Sequence, residues 1–192
     1  AAFWAEYQNE PLPEELPDEG LLTVEQIVAK TNGMQRAEAP VGVSHVVAFI
    51  DVQATLLYWM VVGWEDEFGG YVLDYGAYPD PRRAYFTLAD AKRTLSVVHK
   101  GTGLEGAIYA GLETLVGQLC ERQFRRDDGA EMRIERLLID ANWGNSTDVI
   151  YQFCRQSGHG AVVMPSHGRY VGASSVPFSD YKRKPGERVG LH

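Results

Sequence analysis

The stretch that most restricts this chain runs from Val43 to Trp64. Two apolar runs, VSHVVAFID and TLLYWMVVGW, are separated there by only Val52, Gln53 and Ala54. Both are rich in β-branched and aromatic residues, the side chains that suit a pleated, half-buried surface. A parallel crossover needs a dozen or more residues, so three can join these runs only as an antiparallel pair. A third run, Gly70 to Tyr78, follows the polar EDEFGG turn and extends the pair to a three-strand meander. One residue is out of keeping with so apolar a neighbourhood: Asp51 stands where the first run ends.

Downstream the pattern changes period. PDPRRAYFTLADAKRTLSVVHK reads as loop with one short helix near Leu88 to Val97. Leu104, Ile108, Leu112, Leu115 and Leu119 then recur at three-to-four spacing, the stripe of an amphipathic helix. After the turn RRDDGAE comes MRIERLLID, a strand ending on a second acid, Asp140. NSTDVIYQFCRQSG is a helix that Asn145 or Ser146 can cap, with Asp148 in its first turn and Gly158 at its end. A short buried strand is expected over Ala161 to Met164, and no clear element follows from about residue 170. Upstream, three prolines among acids make residues 1–20 extended, and Thr23 and Gln26 stand at capping-box spacing for a helix from Val24 to about Lys30. The body begins near Pro40. The order β-β-β-α-β-α-β predicts an α/β fold, a mixed sheet covered by helices on both faces.

No apolar run reaches the roughly 18 residues that span a bilayer, and the N-terminus lacks the order of a signal peptide, so a soluble chain without membrane contact is expected. Cys120 and Cys154 lie far apart in helix-like contexts and read as buried free thiols, in keeping with a reducing cytoplasm. The net charge of −8 opposes nonspecific binding of polyanions by the whole surface, but it is uneven. Residues 1–40 carry eight acids against Lys30 and Arg36, whereas the remainder is nearly balanced and ends in a basic tail with Lys182, Arg183, Lys184 and Arg188. A local basic groove therefore stays open.

Asp51 and Asp140 end strands in matching contexts, VVAFID and ERLLID. If those strands are neighbours, two carboxylates converge at one edge of the sheet, where ligand sites of open α/β sheets tend to lie. Like charges at that separation require a shared proton or cation. Hard oxygen ligands without His or Cys select Mg²⁺ or Mn²⁺, and a pair of such ions about 3.5–4 Å apart serves phosphodiester hydrolysis. The plainer alternative is that each Asp caps a turn. Asp148 and Asp180 are further candidate ligands: Asp148 also reads as a helix N-terminal acid, and Asp180 lies in the tail. Asp74 reads as a sheet residue facing solvent. His159 and His167 flank the fifth strand without a second His at ligand spacing, which is the pattern of solvated loop histidines. In PSHGR, Gly168 permits close backbone approach and Arg169 could pair with a phosphate, against the reading of an ordinary turn. Arg82 and Arg83, and Arg122, Arg125 and Arg126, are candidate DNA contacts or simply solvated charges. No P-loop and no G-x-S-x-G is present.

At this point FWAEYQNEPLP resembles the segment that follows the ATPase motor in lambda-type large terminase subunits of tailed bacteriophages. VVAFIDVQATLLYWMVVGW, with its D-V-Q signature, resembles the opening strand pair of their nuclease domain. LLIDANWGNSTDVIYQFCR is similar to the second acidic strand and its helix, and VVMPSHGR to the strand and loop beyond. The resemblance implies a ribonuclease-H-like fold with strand order 3-2-1-4-5. It implies a metal-dependent endonuclease that cuts concatemeric double-stranded DNA by attack of an activated water, with Asp51 and Asp140 as catalytic metal ligands and Mg²⁺ or Mn²⁺, two ions, as cofactor. It implies residues 1–40 as a linker and short helix after an ATPase domain, and residues 41–192 as the nuclease. Its partners would be DNA, the ATPase domain, the small terminase subunit and the portal, in the host cytoplasm rather than the virion. Arg169, Lys182, Arg183 and Lys184 are the DNA-binding candidates. The family's third acid comes late in the domain, and no convincing helix holds one here. A resolvase or transposase core shares the strand-end acids, although EYQNEP argues against it, and a docking module that has lost its chemistry is the reading without an enzyme.

Overall fold

The computed structural model describes residues 22–67, 69–83, 86–142 and 147–168. The expectations for Asn145, Ser146 and everything from Arg169 onward lie outside these residues. The described chain forms two units that divide between Met34 and Gln35. In the first, helix α1 is Val24–Val28. Its capping box forms: the Thr23 hydroxyl accepts from Gln26 N at 3.2 Å, and the Gln26 side chain accepts from Thr23 N at 2.8 Å.

The second unit runs β1 (Glu38–Ala39), β2 (His45–Val52), β3 (Leu57–Trp64), β4 (Gly70–Tyr78), a 3₁₀ turn (Leu88–Asp90), α2 (Leu95–Val98), α3 (Gly103–Glu121), β5 (Phe124–Arg126), β6 (Glu131–Met132), β7 (Arg136–Asp140), α4 (Thr147–Gln156) and β8 (Val163–Ser166). Five of these strands form one sheet in the order β4-β3-β2-β7-β8. Counted along the chain, this is third, second, first, fourth, fifth. The meander β2-β3-β4 is antiparallel, and β7 and β8 add in parallel on its other side. A second, small sheet joins β1, β5 and β6. Its strands of two or three residues are too short for any periodicity to announce them.

Along β2 the side chains alternate: Val46, Ala48, Ile50 and Val52 are buried, while His45 and Phe49 are exposed. Cross-strand pairing carries the buried set to Val61 and Leu57 of β3, and Leu137 and Ile139 continue it on β7. The stripe of α3 covers this face, with Ile108, Leu112, Leu115 and Leu119 buried. Leu104, expected in the stripe, is 47% exposed. Gly111 allows the close approach, since a Cβ there would stand 2.6 Å from a Leu95 methyl. α4 packs on α3 through Phe153, whose ring meets Tyr109 edge-on at 5.4 Å.

Several expectations are corrected. Both long helices lie on one side, and among the described residues of this unit no α-helix covers the opposite face, where Phe49, Met60 and Trp64 are each about two-fifths exposed. The expected helix over residues 88–97 is a 3₁₀ turn and a separate α2, because Ala91 turns extended at ψ 104°. β8 begins and ends later than expected and includes Pro165. A proline is tolerated there because β8 is an edge strand. Cys120 and Cys154 are free and half-buried, and burial pushes the Cys154 thiol up to about 11.

Asp74 does not face solvent: it is 2% exposed. Strict alternation with Leu73 inward would turn it out, but the β3–β4 register slips between Val61 and Val62, so Leu73 is the extra residue and both point inward. Two guanidinium groups answer the buried carboxylate, Arg122 Nη1 at 2.5 Å and Arg36 Nη1 at 3.2 Å, and Tyr75 N donates to it at 2.8 Å. Arg125 pairs with Glu38 and Arg126 with Asp128. The arginine run that read as a candidate DNA contact is thus engaged in ion pairs within the fold.

Removing one partner of a buried ion pair leaves an uncompensated charge, so Arg122→Ala is expected to lower stability by about 3 kcal/mol. Arg36→Ala, whose side chain is 63% exposed, should cost less. Urea unfolding midpoints check the ranking. A weaker link joins His45 Nδ1 to Glu135 at 2.9 Å and raises the His45 pKa above its ordinary value, chiefly through that hydrogen bond. Its stabilisation is complete below the unfolded pKa and is lost as pH rises through the higher folded one. Thermal melts of Glu135→Gln should therefore fall below wild type under mildly acid conditions and converge with it under alkaline ones.

Candidate active site

β2 and β7 run parallel in the register Val47 with Arg136 through Ile50 with Ile139. Asp51 and Asp140 each follow the last of these pairs. Because neighbouring strands lie about 4.8 Å apart and the two are in register, the acids stand side by side. Both project from the face opposite buried Ile50 and Ile139, and both are half-buried. The structure brings these two sequence-predicted residues together.

Each carboxylate has one oxygen held by a nearby donor. Gln53 Nε2 donates to Asp51 Oδ2 at 2.9 Å across the tight turn into β3, which Gln53 N closes by donating to Leu56 O at 3.0 Å. That gives the D-V-Q sequence a physical role: the glutamine orients the acid. Asn142 N donates to Asp140 Oδ1 at 3.0 Å in the turn that leaves β7. Among the described residues neither carboxylate is ion-paired. Together they offer the hard oxygen donors that Mg²⁺ and Mn²⁺ take.

Sequence reasoning missed what holds the Asp140 turn. The Asn142 amide donates to Gly168 O at 2.8 Å, and its carbonyl oxygen lies 2.7 Å from His167 Nδ1. An amide oxygen only accepts, so His167 carries its proton on Nδ1, which leaves Nε2 to accept from the Tyr151 hydroxyl at 2.8 Å. Tyr151 belongs to α4, so the chain Asn142–His167–Tyr151 ties the ends of β7 and β8 to that helix. Thr147 Oγ1 donates to Ala141 O at 2.8 Å and fastens the helix start to the same turn. Gly168 meets the close approach expected of it, since a Cβ there would lie 3.3 Å from the Asn142 amide nitrogen. The only signal was the H-G of PSHGR, and a lone loop histidine is ordinarily solvated; its partners come from segments 16 and 25 residues away.

Other candidates are not gathered in. Asp148 is exposed in the first turn of α4, and among the described residues no group of three or more His, Cys, Asp or Glu comes together. Asp180, Arg169, Lys182, Arg183 and Lys184 lie outside the described residues. His159 serves in a turn, its carbonyl accepting from Val162 N and Val163 N.

Comparison with known proteins adds an independent line. No curated protein matches the sequence. Among solved structures the chain is similar to a Ppx/GppA family member from Aquifex aeolicus, at 13% identity and a TM-score of 0.33, over 64% of this chain and 35% of that one. It is also similar to an exopolyphosphatase from Cytophaga hutchinsonii, at 7% identity and a TM-score of 0.25, over 65% of this chain and 35% of the other. The matched part is thus about a third of those chains, and likeness this slight carries no argument about fold or chemistry. A family model described as the endonuclease domain of the terminase large subunit gpA, by contrast, matches residues 3–189. With nearly the whole sequence inside that match, this chain belongs to the terminase large subunit gpA endonuclease domain family.

Proposed function

We propose that the chain is a ribonuclease-H-like, divalent-metal-dependent endonuclease domain that cuts concatemeric double-stranded DNA during viral packaging. The observation that carries this reading is the adjacency of Asp51 and Asp140 at the ends of neighbouring parallel strands, in a chain of a terminase endonuclease family. The sheet order β4-β3-β2-β7-β8 supports the fold assignment.

In this reading Asp51 and Asp140 hold one or two Mg²⁺ or Mn²⁺ ions. Such ions, when bound, supply Lewis acidity toward a phosphodiester and a route to hydroxide at neutral pH. The chain's own contribution is orientation. Gln53 occupies Asp51 Oδ2, and the Asn142 backbone occupies Asp140 Oδ1, so each acid keeps its other oxygen for a ligand. Two carboxylates side by side, with no ion-pair partner among the described residues, make the local potential more negative, which opposes an approaching phosphate until a cation offsets it. DNA binding and metal binding are therefore coupled at this edge. Within a complete terminase, the reading places an ATPase domain before this one and the small subunit and portal as partners, with the work done in the host cytoplasm.

Plasmid nicking measures this directly. Cleavage is expected in Mn²⁺ or Mg²⁺, to vanish on addition of EDTA, and to vanish in Asp51→Asn and in Asp140→Asn. Wild-type rates in both variants would sink the assignment. A folded, DNA-binding wild type with no cleavage in either metal would favour a docking module instead.

The tie behind Asp140 has its own outcome. Asn142→Ala frees the turn from Gly168 O and His167 while leaving the backbone donor in place, and should cost about tenfold in cleavage, as outer-shell substitutions at metal sites do. The Mn²⁺ concentration for half-maximal cleavage should rise with it, and a melting temperature close to wild type would separate this effect from unfolding.

A further inference from the structure

The connection from β4 to α2 carries Arg82, Arg83, Lys92 and Arg93 against Asp80 and Asp90, a basic stretch in a chain of net charge −8. Its position follows from the meander. β4 is antiparallel to β3, which is antiparallel to β2, so Tyr78 at the end of β4 pairs with Leu57, and Leu57 pairs with Val52. The connection therefore leaves the sheet at the edge that carries Asp51 and Asp140.

Three interactions hold it there. Tyr58 is the cross-strand partner of Asp51, and its ring stacks on Phe86 with centroids 6.0 Å apart and planes within 8°. Arg93 Nη1 donates to Asp80 O at 3.1 Å and ties the two ends of the connection together. Leu95 N donates to Thr55 O at 2.8 Å, in the same turn that follows Asp51. The two acids of the stretch are engaged locally: Asp80 accepts from Arg82 N at 2.8 Å and Asp90 from the Thr87 hydroxyl at 2.9 Å. Arg82, Arg83 and Lys92 are exposed and, among the described residues, form no ion pair.

We propose that Arg82, Arg83 and Lys92 form a docking surface for duplex DNA, binding backbone phosphates that flank the scissile one, and that the Tyr58–Phe86 stack fixes their position relative to Asp51. The proposal rests on the nuclease reading for the place of the scissile phosphate. β4 lies two strand spacings, roughly 10 Å, from β2. That distance is comparable with the width of the DNA major groove, about 12 Å, so a duplex whose scissile phosphate lies at the two acids can carry the backbone across its groove to the end of β4, where Arg82 and Arg83 follow. Phosphate binding of this kind carries no sequence preference and fixes register. It also supplies the attraction that a pair of bare carboxylates cannot.

Fluorescence anisotropy of a short labelled duplex tests the proposal in EDTA, where no cleavage intervenes, with the full chain. Arg83→Glu and Lys92→Glu should each weaken binding about tenfold, and the slope of log affinity against log salt should shrink by about one for each phosphate no longer neutralised. Arg133→Glu makes the same charge change on an exposed residue at the sheet end remote from Asp140, and should bind as wild type. Phe86→Leu, which keeps every charge but removes the stack, should weaken binding less than either reversal. Affinity unchanged in Arg83→Glu and Lys92→Glu, or reduced equally in Arg133→Glu, overturns the surface. If the wild type cleaves in Mn²⁺ while the reversals bind normally, only the surface falls. If the reversals abolish binding while the wild type never cleaves, the surface stands and the enzyme reading falls.

Discussion

The parallel pairing of β2 with β7 is the constraint on which the rest depends. It joins a meander that ends at Tyr78 to a strand that begins only at Arg136, with α3 between them on the covered face. The pairing is held in register by burial: Ala48, Ile50, Leu137 and Ile139 share one face, and a slip of one residue would turn this set outward. The same register leaves Asp51 and Asp140 as the first residues beyond the paired stretch, on the other face. Core packing thus decides the separation of the acids without any direct contact between them.

Around that pair the chain uses its polar groups for position. Gln53 and the Asn142 backbone each claim one carboxylate oxygen, and Asn142 is in turn gripped by Gly168 and His167. These are half-exposed hydrogen bonds, individually modest at about 1 kcal/mol. In the proposed reading their value lies in orientation, because a carboxylate free to rotate would meet a cation only part of the time. Asp74, on the outer strand of the meander, shows a different use of charge. It is sealed under two arginines where a bulge forces it inward, and that cluster serves the fold rather than the site.

The arginines divide in the same way. Arg122, Arg125 and Arg126 each pair with a carboxylate of the fold, whereas Arg82 and Arg83, at the edge bearing the acids, form no ion pair among the described residues. In the sequence the two groups look alike, as basic pairs in polar surroundings. For Arg122 and Arg125, what separates them is a carboxylate arriving from a distant segment: Glu38 reaches Arg125 across 87 positions, and Asp74 on β4 reaches Arg122 at the far end of α3.

Local chemistry was legible in the sequence itself. The three-residue link between VVAFID and TLLYWMVV forced an antiparallel pair, the leucine stripe forced α3, Thr23 and Gln26 capped α1, and the two strand-end acids stood out because apolar runs do not otherwise end on carboxylates. These features depend on neighbours within a turn or a strand, so their causes lie in adjacent residues. The tertiary structure alone decided the inward turn of Asp74, the packing of α3 and α4 together on one face of the sheet, the small β1-β5-β6 sheet and the Asn142–His167–Tyr151 tie. Each of these depends on a register slip or on partners brought together by burial elsewhere, and a hydrogen bond between distant residues leaves no periodicity in the chain. The acids could be read one at a time from their strands; only the packing of Ile50 beside Ile139 made them a pair.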